Sequence, residues 1–184
     1  FPACKNWTGL PCVLMSSARC GFPGGGDGTH GLMLPWRPKH IMIGVESKRF
    51  EPFRASKPAK LSDAYDRDVW GEGMAPFLAM RDELRRAPRR FRHLDGAQLV
   101  KHAFGIATEA ARVGKAPVLL YVFAEPPRVP PRRFSAHRAE IAAFAAEVAG
   151  ARVRFHACSW REWIGTWPDD LAGQAAAIEE AFAP

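Results

Sequence analysis

The stretch Ile41–Phe50, "IMIGVESKRF", begins as an apolar strand and ends by placing Glu46, Ser47 and Lys48 in a row. Side chains two apart on a strand point to the same face, so Glu46 and Lys48 share one face while Ser47 takes the other. A carboxylate and an amine held together at the end of an apolar strand therefore share one site. A Glu-x-Lys triplet on its own is also the pattern of an ordinary surface ion pair, so its surroundings decide its weight.

Upstream, "GFPGGGDG" (residues 21–28) carries too many glycines for regular structure and is expected to be a loop. It separates an N-terminal stretch, with a strand expected at Cys12–Met15, from the apolar piece "GLML" at Gly31–Leu34. "PWRPK" follows as a turn, so Gly31–Leu34 and "HIMIGVESK" are predicted to pair as an antiparallel hairpin. Downstream, "EPFRASKPAK" is irregular and "LSDAYDRDVWGEG" a partly helical excursion. Helical spacing returns at "APFLAMRDELRRA" and at "DGAQLVKHAFGIATEAARVG", the latter with Asp95 as N-cap and Gly114 as stop. "APVLLYVFAE" is an unbroken apolar run of strand length, expected mid-sheet and buried on both faces. "SAHRAEIAAFAAEVAG" reads as a helix from Ser135 to Gly150, "ARVRFHAC" as a half-exposed strand, and Ser159 with Glu162 as a capping box. An Ala-rich helix closes the chain. This order predicts an α/β fold, a central mixed β-sheet flanked by helices.

The chain has 184 residues, 47% hydrophobic and 24% charged, which suits a single globular domain over residues 1–184. Its first residue is not methionine and its opening does not read as a signal peptide, so an N-terminal element could be absent. The longest apolar run, Pro117 to Ala124, is far shorter than the roughly 20 residues of a membrane span, and no membrane partner is expected. Cys4, Cys12, Cys20 and Cys158 match no zinc spacing, and few cysteines with no secretion signal place the chain in the cytoplasm. The net charge of +7 favours polyanions, nucleic acid first. Basic clusters at Arg85, Arg86, Arg89, Arg90 and Arg92, and at Arg128, Arg132 and Arg133, suit phosphate contacts or simply a solvated surface.

Hard divalent cations take oxygen ligands, so a strand-end carboxylate beside a lysine offers one ligand and a charge able to orient a water. Lys48 would also stabilise developing negative charge. A second acidic ligand must come from the neighbouring strand. A hairpin centred on Pro38 sets His30 opposite Glu46, with Asp27 a little further along and reachable if the glycine-rich stretch bends inward. Asp27 is the candidate ligand and His30 the substitute; as an alternative, Gly-Asp-Gly is a common turn. On the helix, Gln98, Lys101 and His102 share a polar face that points at the site or at solvent. His156 and Cys158 fit a structural role, and Trp160, Trp163 and Trp167 fit packing anchors.

Taken together, "IGVESKRFEPFR", "AYDRDVWGEGM", "LDGAQLVKHAFGI", "PVLLYVFAE" and "FHACSWREW" resemble the PD-(D/E)XK, restriction-endonuclease-like superfamily, and within it a bacterial group of nuclease-like proteins. The similarity runs from about Gly26 to Trp163. The resemblance implies a restriction-endonuclease-like fold and hydrolysis of DNA phosphodiester bonds with Mg2+ (or Mn2+). It assigns Glu46 as metal ligand and Lys48 as catalytic lysine, with Gln98 and Lys101 supplied by the packing helix. Asp27 and the Ser47 backbone carbonyl would complete the metal shell, and a homodimer would supply the two cuts a duplex needs. Relatives carry the first acid inside the strand before Glu-x-Lys, where this chain has "HGLML" with Met33 near the expected place. Either Asp27 substitutes from the loop, or the chain is a nucleic-acid-binding protein of the same fold with a degraded site. A module that binds an acidic protein through its basic surface is the third expectation.

Overall fold

A computed structural model describes residues 40–55 and 57–183. Strands β1 (Ile41–Lys48), β2 (Ala116–Phe123) and β3 (Arg154–Ser159) lie side by side in that order, and both pairs are parallel. Parallel neighbours need long crossovers. Helices α1 (Ala75–Arg86) and α2 (Gly96–Arg112) lie between β1 and β2, and α3 (Pro131–Glu147) between β2 and β3. Helices α4 (Trp160–Ile164) and α5 (Ala172–Phe182) close the chain.

The expected α/β architecture holds, and β2 occupies the centre of the sheet as its unbroken apolar run requires. The three described strands are all parallel. The antiparallel member of the expected mixed sheet, Gly31–Leu34, lies outside the described residues, as do the expected strand at Cys12–Met15, the glycine-rich loop, Asp27, His30 and Met33.

Alternation along the strands builds two apolar layers. Leu119, Tyr121 and Phe123 of β2 pack with Phe77 and Met80 of α1, Leu99 and Phe104 of α2, and Ile141 and Phe144 of α3. Each fully buried Phe or Leu here contributes about 1.5–3 kcal/mol. Met42 packs against the same layer, so the face of β1 that carries Met42, Glu46 and Lys48 looks toward the helices. Ile43, Val45, Val118, Val122 and Cys158 form the opposite layer, against which Trp160 and Trp163 pack as expected of anchors.

Helix ends follow their local chemistry. Asp95 caps α2 by accepting a hydrogen bond from the Gln98 N–H at 2.9 Å, and Gly114 takes φ +65° just past its end. Ser159 and Glu162 form the expected capping box. Helix α3 departs from expectation: it starts a turn before Ser135, with Pro131 at its first position, where a missing N–H costs nothing and φ is already helical. Its Glu140 carboxylate accepts the backbone N–H groups of Arg92, His93 and Leu94 at 2.8, 2.7 and 2.8 Å. That brace fixes the loop feeding α2.

His137 of α3 is fully buried, 3.0 Å from the Tyr121 hydroxyl and edge-on to Phe53 and Phe123. Burial, with help from neighbouring His93 and Arg138, pushes its pKa down from 6.5 to about 3, and burial also lowers that of His156. Between those values the unfolded chain binds a proton that the folded one refuses, so stability falls as pH drops from 6.5 toward about 3. Urea unfolding at about pH 7.5 and about pH 5 should show the midpoint falling with pH, and His137→Phe should flatten that dependence; an unchanged wild-type midpoint contradicts it.

Candidate functional site

At the C-terminal end of β1, Glu46 sits in register with Tyr121 of the central strand and is only 2% exposed. Strand alternation brings Lys48 to the same face, where its Nζ lies 2.7 Å from Glu46 Oε1. Helix α2 packs across β1 and β2 and closes over the pair. Its cap at Asp95 sets the helical phase, so Gln98 and His102, one turn apart, meet the strand together. Lys48 Nζ donates to Gln98 Oε1 at 2.7 Å, and His102 Nδ1 lies 3.0 Å from Glu46 Oε2.

The two carboxylate oxygens differ. Oε1 faces the lysine, whereas Oε2 is buried without a hydrogen bond, with the His102 ring nitrogen 3.0 Å away. A buried acceptor without a donor is costly, and a carboxylate more so. Such an oxygen suits a hard divalent cation, which takes oxygen ligands. Lys48 has three N–H donors, two of them committed to Glu46 and Gln98, so one remains for a further acceptor. The Tyr121 hydroxyl stays protonated, since burial and then the charge of Glu46 push its pKa well up.

Strand geometry also places the Ser47 carbonyl. His40 and Lys48 direct their carbonyls to Ala116 and Ala124 on the β2 side, so the odd-numbered carbonyls of β1, Ser47 included, point to its other edge. The Ser47 hydroxyl is on the far face and accepts a hydrogen bond from Trp160 Nε1 at 3.2 Å.

Glu46, Lys48 and Gln98 thus meet in one cluster. Lys101 lies half-buried on α2, and no hydrogen bond or ion pair links it to Glu46 or Lys48. His102, which shares the helix face with Gln98, is the residue brought against Glu46; the four-residue spacing in "QLVKH" was its signal. Among the described residues no group of three His, Cys, Asp or Glu side chains could hold a metal ion, and Asp27 lies outside them. Beside the cluster, Lys48 and Tyr121 border a hollow of about 270 Å3 between the 51–59 segment and the loop that leads into α2.

Comparison with protein-family models, with curated proteins and with solved structures finds no match to this chain. The roles of these residues therefore rest on their own chemistry.

Removing the two members of the ion pair should have unequal effects. The Lys48 side chain is 16% exposed and can turn toward water once Glu46 is neutral, whereas Glu46, at 3%, cannot follow. Lys48→Met should destabilise by about 3–5 kcal/mol and Glu46→Gln by well under half of that. Urea unfolding of both variants checks this, and equal losses would contradict it.

Proposed function

We propose that the chain is a metal-dependent nuclease-like protein of the PD-(D/E)XK type that hydrolyses phosphodiester bonds, with DNA as first substrate. One observation carries the proposal: a nearly inaccessible carboxylate on a strand end, with one oxygen on a lysine two residues away and the other lacking a hydrogen bond. In this proposal Glu46 Oε2 and the Ser47 carbonyl are ligands of Mg2+ or Mn2+, and Asp27 is the second acid. When bound, such an ion neutralises phosphate charge and acidifies a water.

The remaining chemistry falls to the side chains of the cluster. Gln98 and Glu46 hold the Lys48 ammonium, and its third N–H is directed to the phosphodiester, where it stabilises the negative charge that grows as the bond breaks. His102 positions the Glu46 carboxylate from the α2 side. Lys101, on the flank of the same helix, adds a cation for phosphate. Holding these groups on a strand and a capped helix fixes them before substrate arrives.

A second reading keeps the fold and the nucleic-acid partner but not the reaction. It is favoured by the single carboxylate that the described residues bring to the cluster. Incubation of wild type, Asp27→Ala, Glu46→Ala and Lys48→Ala with plasmid and single-stranded DNA, with Mg2+ or Mn2+, separates the two. The proposal predicts metal-dependent cleavage that is lost in Glu46→Ala and Asp27→Ala and reduced about 10²-fold or more in Lys48→Ala. Cleavage unchanged in Glu46→Ala overturns it. No cleavage by wild type, with salt-dependent DNA binding that survives Glu46→Ala, favours the second reading.

A further inference from the structure

Basic residues that look alike in the sequence differ in what they touch. Arg85 is paired with Asp66, Arg86 with Glu83 at 2.6 Å, Arg90 with Glu147, and Arg138 with Glu125 at 2.6 Å. Arg54, Lys57, Arg92, Arg132 and Arg133 make no side-chain hydrogen bond or ion pair with any described residue, and all but the half-buried Arg133 are exposed.

These five are not scattered. Arg54, Lys57 and Arg92 line the hollow of about 270 Å3 that borders Lys48, and Arg92, Arg132 and Arg133 line a second of about 410 Å3, so the two adjoin at Arg92 and His93. The acids around the first hollow are turned to backbone: Glu51 accepts the N–H groups of Arg49 and Phe50 at 2.9 and 3.0 Å, and Asp95 caps α2. No acid lines the second. Glu140 grips the backbone of Arg92, His93 and Leu94 and so fixes the junction. Beyond the paired Lys48, a run of cations that pair with no described acid, braced at Arg92, is the electrostatic footprint of a phosphodiester chain.

We propose that a nucleic-acid strand engaged at Lys48 runs along this row, its phosphates meeting Arg54 and Lys57, then Arg92, then Arg132 and Arg133. The starting point rests on the nuclease reading above; the row itself rests on which unpaired cations line the two adjoining hollows. The paired arginines of α1, Arg85 and Arg86, line neither hollow and make surface ion pairs instead.

Fluorescence anisotropy with labelled single-stranded and duplex oligonucleotides, in EDTA and across a salt series, tests the row without cleavage. The variants are Arg92→Ala/Arg132→Ala/Arg133→Ala and, as control, Arg85→Ala/Arg86→Ala, each checked by circular dichroism for a folded chain. The row variant should bind at least about tenfold more weakly near 0.1 M salt, with the slope of log K against log salt reduced by about 2–3. The control should change by no more than about twofold. Unchanged binding by the row variant, an equal loss in the control, or no binding by wild type overturns the proposal. A row-dependent affinity in a wild type that cuts nothing with Mg2+ or Mn2+ keeps the row and removes the nuclease reading; cleavage with row-independent affinity does the reverse.

Discussion

Glu46 carries a carboxylate into a position that water barely reaches, and the arrangement around it follows from the cost of keeping a charge there. Taking such an ion out of water costs several kcal/mol, and a partner repays this only with good geometry. Lys48 is the partner that the strand itself provides, because two residues along is the nearest position on the same face. The lysine needs holding in turn, and Gln98 holds it from helix α2 above the same face. Only one carboxylate oxygen is balanced in this way. The other has an imidazole nearby and no hydrogen bond, an arrangement that a fold selected for stability alone would fill with an apolar side chain.

Helix α2 links this polar cluster to the core. One side of the helix, through Leu99, Ala103, Phe104 and Ala107, belongs to the main apolar layer, while Gln98 and His102 reach the strand end. Its start is fixed twice, by the Asp95 cap and by Glu140 of α3, which ties down the three residues just before that cap. A shift of the helix by one residue would rotate Gln98 away by about 100° and break the cluster. Packing of the core and placement of the charged groups are thus the same constraint, and the row of unpaired cations passes over the loop that Glu140 holds, at Arg92.

Much of this was legible in the sequence because it depends on short-range periodicity. The two-residue period put Glu46 and Lys48 on one face, the unbroken apolar run put β2 in the centre, and Asp95 and Ser159 announced the helix starts they cap. The start of helix α3 is harder to read, because Ser135 has the character of an N-cap while Pro131 is the better first residue. His102 was visible on the right helix face, but which of Gln98, Lys101 and His102 meets the strand depends on the angle at which α2 crosses β1, which no local pattern encodes. Pairing of arginines is likewise a tertiary property. Arg86 and Arg92 belong to one basic run, yet Glu83 takes the first and no described residue takes the second. The parallel register of β1 on β2 joins segments far apart in the chain, so the sequence showed the strands but not how they pair.

The central claim is that the unbalanced oxygen of Glu46 is there for a divalent cation. Calorimetric titration of Mn2+ into the wild type and into Glu46→Gln tests it directly, since the substitution keeps the shape of the side chain and removes its charge. The account predicts saturable binding by the wild type and affinity weakened at least about tenfold in the variant, a difference of about 1.4 kcal/mol or more. Equal binding by both proteins, or none by the wild type, would contradict it.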